Sequence, residues 1–468
     1  MSFSRERSSR KILIFSSAGK PIYSLGVNDQ STLSLISSSL SAILSKVTCT
    51  LSEQKVIIFN VESDIYIFDY IKWMCSDSHR IVFLERQGII LCCVSEFSND
   101  PIGYLKGMLE YVYYQLVMIL TGSIHKILKS RPNVDIQQMI GTSDVNIIDR
   151  CVNSIQTNID SLYWYYSFQK VPKFHKYLRQ NNPSSNFPIE TPNLFIEAQP
   201  MDAEVRSVIK KLIQNIKTDG LLGGAMFASS RIVTWFGSKY IRNIPSTDFS
   251  LLKNISYSLF SKKNTSNELW IPICLPCIST ISYIYCYFHY WNSNEETTGS
   301  SNICFVLLSS NSSTQVFEKF SDHSNACLNY IKNSKYCSVL ESFEMSFLDP
   351  NILIKGGQLS KEIVIQHFVY VSTCKNCYVV SETHPEIHDK KDIFQTYIKI
   401  TEFTNSQFKR NKEPSMYTII NMKNNKFINI TTRGFHLFVT FPLSVRIDEK
   451  VIELIVDNAR KNDKLFFP

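Results

Sequence analysis

No run in the 468-residue chain approaches the roughly eighteen uninterrupted apolar residues of a membrane-spanning helix, so nothing in it reads as crossing a bilayer. The N-terminal stretch MSFSRERSSRKILIFSSAGK is basic and then apolar, like the start of a signal peptide. Its apolar core, Ile12 to Phe15, is shorter than the roughly seven residues that an h-region needs. There is no G-x-S-x-G elbow and no G-x-G-x-x-G loop, which removes the local signatures of a serine hydrolase and a dinucleotide enzyme. A dense Lys/Arg block is also missing. The 49 basic and 41 acidic residues leave a net charge of +8, which speaks against a dedicated nucleic-acid binder. A weakly basic face toward an anionic membrane surface stays open. The 13 cysteines are an odd number, set mostly within apolar runs such as GIILCCVSE, where they act as small buried hydrophobes in a reducing compartment. The expected location is cytosolic.

What is present begins with KILIFSSAGKPIYSLG, Lys11 to Gly26. A phosphate loop needs a glycine five positions before the Gly-Lys pair, and that place holds Ile14. The magnesium-binding hydroxyl is replaced by Pro21, which has neither a hydroxyl nor a backbone N–H. The stretch therefore reads as a β-hairpin turning at Ala-Gly-Lys, with Lys20 as a turn residue. Two C-x-x-C pairs, Cys274/Cys277 and Cys374/Cys377, stand too far apart to share a zinc and read as structural, with metal or redox chemistry as the second reading. HPEIH, His384 to His388, has the histidine spacing of a zinc-protease helix, but Pro385 sits where the glutamate belongs; a loop is expected. No cofactor is implied.

Length gives a soft prior of about three domains, and 44% apolar residues supply a core for each. One order of elements recurs three times. Two strands around a tight turn lead into a helix, STLSLISSSLSAILSKV, with Leu33, Ile36, Leu40, Ile43, Leu44 and Val47 on one stripe. Strands near Tyr66–Met74, Arg80–Glu85 and Ile89–Ser95 follow, then helices over Pro101–Leu120 and about Ile136–Ile155. The middle third repeats this with LLGGAMFASSRIVTWFG, a helix after Pro245, alternating strands in LWIPICLPCISTISYIYCYFHYW and NICFVLLSS, and a helix over Gln315–Asn333. In the last third, IVIQHFVYVS and CYVVSE precede a helix over Asp392–Phe403. The strands MYTIINM, KFINITT and GFHLFVTFPL and a helix over Ile447–Arg460 complete it. The expected class is α+β: three modules, each an antiparallel sheet with helices on one face, in a ββαβββα plan.

Three helices raise the question of partners. GYLKGMLEYVYYQLVMIL places Tyr104, Tyr111, Tyr113 and Tyr114 at spacings typical of core or domain contact. EVRSVIKKLIQNIK reads as a packing helix whose Arg206, Lys210, Lys211 and Lys217 face solvent, with a membrane-surface helix as the second reading. The first helix carries a serine face, Ser34, Ser37, Ser38, Ser41 and Ser45. Small side chains admit another backbone closely, so the face reads equally as a docking surface or as a serine-rich solvent face.

Taken together, SSAGKPIYS, RIVFLERQGIILCCVSE with YVYYQLVMILTG, NVDIQQMIGTSDVNIIDRCVN (Asn133, Asp135, Gly141, Asp149), LWIPICLPCIS, HFVYVS, GFHLFVTFPLS and NDKLFF resemble, in order, the SAND family, the Mon subunit of the Mon–Ccz vacuolar fusion complex. The resemblance implies three longin domains: a first over 10–160, an insertion or linker over 161–200, a second over 201–337, a linker over 338–360 and a third over 361–468. It also implies a heterodimer with a Ccz-type longin protein and guanine nucleotide exchange on a late-endosomal Rab GTPase, without covalent chemistry. The protein would be cytoplasmic and peripherally recruited to late endosome or vacuole membranes. A non-catalytic longin scaffold or tether is the alternative. By the family's pairing mode, partner and GTPase contacts are expected at Lys20, Pro21, Tyr23, Ser34, Ser37, Ser38 and Ser41. The chain departs from the family where a long acidic region would precede the hairpin, at the aromatic and Asn-rich segment Tyr163–Ala198, and at Ser17, which replaces an acidic residue.

Overall fold

The computed structural model describes residues 10–25, 29–53, 73–75, 79–96, 102–141, 195–228, 231–238, 244–260, 267–291, 303–337, 348–355, 363–384, 415–422, 425–432 and 434–468, with single positions within 145–152 and 393–400. The chain forms two compact units. The first comprises Met1–Leu162 with Cys274–Ser282, and the second Tyr163–Ile273 with Tyr283–Pro468.

In the first unit, strands β1 (Arg10–Ser16), β2 (Pro21–Leu25), β3 (Trp73–Cys75), β4 (Arg80–Arg86) and β5 (Ile89–Ser95) build one sheet in the order β2-β1-β5-β4-β3. Neighbours are antiparallel throughout. Successive side chains of a strand point to opposite faces. One face of the sheet, Leu13, Phe15, Phe83, Ile90 and Cys92, packs on Leu33, Ile36, Leu40 and Leu44 of helix α1 (Gln30–Glu53). The alternate residues Ile12, Ile14, Val82, Leu84, Leu91 and Cys93 are buried as well. They face the other way, where α2 (Ile102–Leu120) lies on β4 and β5 with Leu105, Met108, Leu109, Val112 and Leu116 fully buried. Helices thus cover both faces, which corrects the expectation of one and explains the near-continuous apolar strands.

Helix α2 ends at Thr121, whose φ of +61° turns the chain into a short helix, α3 (Ser123–Ser130). The sequence reading passed over α3. The helix expected at Ile136–Ile155 is interrupted: a 3-10 turn, Gln137–Met139, begins with the Gln137 N–H donating to Asp135, the chain is extended at Ile140, and helical positions resume at Val145. Of the tyrosines on α2, Tyr111 is buried, while Tyr113 and Tyr114 are half-buried and meet edge to face at 5.5 Å. The side chain of Tyr104 and most of the strand expected at Tyr66–Met74 lie outside the described residues.

The second unit holds two sheets. Strands β7 (Leu221–Ala228), β8 (Arg231–Gly237), β9 (Glu268–Cys274), β10 (Tyr283–Trp291) and β11 (Ile303–Ser309) follow the order β8-β7-β11-β10-β9. Strands β12 (His367–Ser372), β13 (Cys377–Val380), β14 (Ser415–Met422), β15 (Asn425–Thr432) and β16 (Phe435–Pro442) follow β13-β12-β16-β15-β14. Numbered within its own module, each of the three sheets therefore has the strand order 2-1-5-4-3. That is the threefold plan read from the sequence, now carried into strand pairing.

A two-residue strand, β6 (Ile196–Glu197), lies within the segment expected to be a linker. It pairs in parallel with β13 at the edge of the third sheet. The next residue, Ala198, bridges to Ile232 of β8. Glu197 also accepts from Arg231 at 2.9 Å, so this short stretch ties the second and third sheets together.

Helix α4 (Ala203–Gln214) begins at Asp202, whose carboxylate accepts from the N–H groups of Glu204 and Val205. Val205, Ile209 and Ile213 pack into the core of the second sheet, beside α6 (Thr314–Lys332). Arg206, expected on the solvent face, is 4% exposed. Its guanidinium donates to the carbonyls of Lys464 (2.7 Å), Phe467 (2.5 Å), Gln199 (2.7 Å) and Leu465 (3.0 Å). It thereby clamps the terminal helical turn Asp463–Phe466, which follows α7 (Glu449–Lys461). Phe466 and Phe467 pack on Tyr370, and Lys375 pairs with Asp463 at 2.9 Å. Between α4 and α6, helix α5 (Ser246–Phe260) starts just after Pro245, as expected.

Candidate functional site

The hairpin Ser16–Pro21 closes through Ser16 N–H to the Lys20 carbonyl (2.8 Å) and Gly19 N–H to the Ser16 carbonyl (2.8 Å). Gly19 has φ +80°, the left-handed region, and a Cβ there would stand 3.1 Å from the Cα of Ser38. The hairpin tip therefore rests directly on α1. Ser41 donates to the Ser17 carbonyl at 2.7 Å, and Ser38 returns its hydroxyl to the Ser34 carbonyl at 2.7 Å. The serine face does admit a backbone closely, and that backbone is the chain's own hairpin.

The sequence-predicted residues fall into two groups. Lys20 and Ser38 are exposed, and Pro21, Ser34 and Ser41 are half-buried around the hairpin tip. Tyr23 and Ser37 are buried, at 4% and 0% exposure, so neither can touch a partner; both belong to the scaffold. This corrects their assignment as contact residues. Tyr23 points inward from β2 and donates its hydroxyl to Asp149 at 2.5 Å. Burial, and next the charge of Asp149, push its phenol far above the ordinary value. Lys20 donates its ammonium to the Asn133 carbonyl. Gln30 at the start of α1 reaches Gln137 at 2.8 Å, and Asp29 caps that helix through Ser31 and Thr32. The segment Asn133–Asp149 is thus fastened along the hairpin and the start of α1. Tyr23→Phe is expected to reduce stability by about 2 kcal/mol, the size of a hydrogen bond to a charged group, as read by denaturant unfolding.

The face of α1 turned away from core and hairpin is the one the sequence reading missed. Leu35, Ser39, Ala42, Ile43 and Lys46 recur at one helical spacing, and all are exposed. Leu35 is 70% exposed and Ile43 46%. Ile43 was expected on the buried stripe; it stands at the edge of that stripe, beyond the reach of the sheet. The signal available was the wheel position of Leu35, a leucine outside the apolar stripe.

Among the other candidates, three of the four C-x-x-C cysteines are buried. Cys274 and Cys277 are buried, and the Cys274 thiol donates to the Ser279 carbonyl at 2.7 Å. Cys377 is buried while Cys374 is exposed, and no disulfide joins either pair. Burial pushes the Cys377 thiol far above its ordinary value. His384 sits in an extended loop with its N–H on the Gln366 carbonyl; His388 lies outside the described residues.

Comparison with known proteins gives two family matches, in order along the chain. Residues 10–150 match the first longin domain of FUZ, MON1 and HPS1, and residues 220–328 match the second longin domain of the same proteins. Among similar proteins, a rice "Vacuolar fusion protein MON1 homolog" is 25% identical over 289 residues, covering 62% of this chain and 42% of its own length. A "Protein SAND" from Takifugu rubripes is 21% identical over 476 residues, covering 100% of this chain and 78% of its own length. A "Vacuolar fusion protein MON1" from Candida albicans is 21% identical over 381 residues, or 80% of this chain and 58% of that protein. The chain thus spans less than half of the rice relative and somewhat over half of the yeast one.

Proposed function

Because the chain belongs to the FUZ, MON1 and HPS1 longin family, in its MON1/SAND line, we propose that it serves vacuolar or late-endosomal membrane fusion as one subunit of a guanine nucleotide exchange factor. Its partner in this reading is a second, Ccz-type longin protein, and its substrate a Rab GTPase of those membranes. The observation that carries the reading is the ordered pair of longin matches, on sheets of one topology, within a chain that aligns with a SAND protein over its whole length and with MON1 vacuolar fusion proteins over 62% and 80% of it. Among the described residues no helix is long and apolar enough to cross a membrane, which fits recruitment to a membrane surface from the cytoplasm.

Exchange of this kind forms no covalent bond. The exchanger binds the nucleotide-free GTPase more tightly than the loaded one, and that difference lowers the barrier to nucleotide release. A rigid docking face is what such work requires. The outward stripe of α1 with Leu35 and Ile43 is where we place the protein contacts, with the exposed hairpin tip at Lys20 and Pro21 as a second contact. Ser34, Ser38 and Ser41 position that tip from beneath.

The test mixes the chain with its longin partner and a Rab preloaded with fluorescent GDP. Accelerated release is expected. Binding without release would favour a scaffold or tether instead. Leu35→Arg and Ile43→Arg are each expected to weaken binding about thirtyfold, as for an interface residue worth about 2 kcal/mol, while the fold stays intact. Unchanged binding in both variants would move the contact surface off α1.

A further inference from the structure

We propose that the third sheet pairs, along the outer edge of β14, with the same edge of a second copy of this chain. Strand β14 stands last in its sheet, and among the described residues no strand lies on its outer side. Its ladder to β15 runs from Ser415 opposite Thr432 to Met422 opposite Asn425 with no shift of register. In an antiparallel edge strand every second residue turns its N–H and C=O outward, open to another strand. Proteins commonly blunt such edges with charge, proline or a covering segment. The strand in the equivalent place of the second sheet, β9, carries Glu268 and Pro272. The opposite edge of the third sheet is covered by β6. Strand β14, SMYTIINM, has no Asp, Glu, Lys, Arg, Pro or Gly.

The rows of side chains across the sheet indicate what this edge fits. Residues directly opposite each other in antiparallel strands share a face of the sheet. Tyr417 stands opposite Ile430, Ile430 opposite Leu437, and Leu437 opposite Tyr370. Ile419 begins the next row, through Ile428 and Val439 to Phe368. The six inner residues of these rows are buried, whereas Tyr417 is 52% exposed and Ile419 40%. Two rows of a core layer therefore run out into solvent at β14, one strand short of cover.

A second β14 supplies what both rows lack. A twofold axis normal to the sheet at Thr418 lays two copies antiparallel, with Tyr417 of each opposite Ile419 of the other and Thr418 opposite Thr418. Each copy thereby extends the apolar rows of its neighbour. Aromatic against β-branched and threonine against threonine are favourable cross-strand pairs, and no like charges meet. An axis at Ile419 would set Tyr417 against Asn421, a poorer match. The paired stretch Ser415 to Asn421 is about 23 Å long. That is small for a permanent dimer, so the association is reversible, with a Kd on the order of 10 µM. It uses no residue of the first unit.

The test is analytical ultracentrifugation of the full chain over a range of concentrations. A monomer–dimer equilibrium is expected for the wild type. Thr418→Lys and Thr418→Glu each place like charges face to face across the axis and should weaken association at least about tenfold. Mixing the two variants sets lysine against glutamate and should restore the dimer, which also shows that both are folded. Tyr330→Lys, at an equally exposed aromatic of α6, should associate as wild type. Should the charged variants fold poorly, Tyr417→Thr combined with Ile419→Thr trims both rows without adding charge and should weaken association as well. The proposal is overturned if the wild type stays monomeric at about 100 µM, which would leave the edge to a strand of another protein. It is equally overturned if the folded β14 variants associate as wild type, or if Tyr330→Lys loses association to the same extent. With neither GTPase nor longin partner in the assay, its failure would leave the exchange reading standing.

Discussion

Arg206→Ala is expected to lower the unfolding free energy by about 4 kcal/mol, in the range for removing one side of a buried charged network. The guanidinium is 4% exposed and serves four backbone carbonyls, three of them in the C-terminal turn around Asp463–Phe466. The last carbonyls of a helix have no partner within it, and here an arginine from far away in the chain supplies the donors. Truncation to alanine strands these acceptors, and water entering the gap offsets only part of the loss. Burial pulls the guanidinium down to about 10, which still leaves it charged at neutral pH.

Two further variants separate the causes. Arg206→Lys keeps the charge but replaces a planar fork by a compact ammonium, so it should recover less than half of the stability. Arg206→Met fills the space without donors and should resemble alanine if hydrogen bonding dominates over packing. Denaturant unfolding is the measurement, analysed for two transitions because the chain has two units. A loss below about 1 kcal/mol in Arg206→Ala would mean that the C-terminal turn is held by Phe466, Phe467 and the Lys375–Asp463 pair alone.

Why Arg206 was misread shows where sequence reasoning ends. Its acceptors are backbone carbonyls some 258 to 261 residues away for those in the terminal turn. A carbonyl has the same appearance in every residue, so no side-chain pattern announces it. From the helical wheel alone an arginine beside two lysines reads as solvated. The modules were legible for the opposite reason: hydrophobic period and turn chemistry are local, so β1–β2, β4–β5 and β15–β16 appear in the sequence nearly as they fold. The strand order 2-1-5-4-3 is not local, since the last strand of each module joins the first across the sheet. Helix α3 escaped notice because its eight residues give two buried positions, too few for a periodic signal. Likewise β6 contributes two residues to an edge, inside a stretch rich in Pro and Asn. The site shows the same division. Serine composition left a docking surface and a solvent face equally open, and the backbone that lies against α1 is the chain's own hairpin.

Ser37→Arg is expected to abolish folding of the first unit, a loss of more than about 4 kcal/mol from placing an unpaired guanidinium in the core. Ser37 is fully buried on the face of α1 that carries Leu33, Leu40 and Leu44, and its hydroxyl finds no hydrogen-bond partner. Ser37→Ala removes that unsatisfied hydroxyl and should raise stability by about 1 kcal/mol. Next to it, Ser38 is exposed, and an arginine there can extend into solvent with a change within about 1 kcal/mol. A binding assay alone would score Ser37→Arg as a contact mutation, because an unfolded unit binds nothing. Thermal unfolding of the same samples separates the two cases. If Ser37→Arg melts as wild type, the helix can rotate that face outward and the packing of α1 on Leu13, Phe15 and Phe83 is not what fixes it. If Ser37→Ala is destabilised, the hydroxyl has a partner in solution and the serine face contributes more than small size. With Ser37→Ala stabilised and Ser37→Arg unfolded, Ser37 is a core position, and binding lost in Ser37→Arg reports the fold of α1 and not a contact.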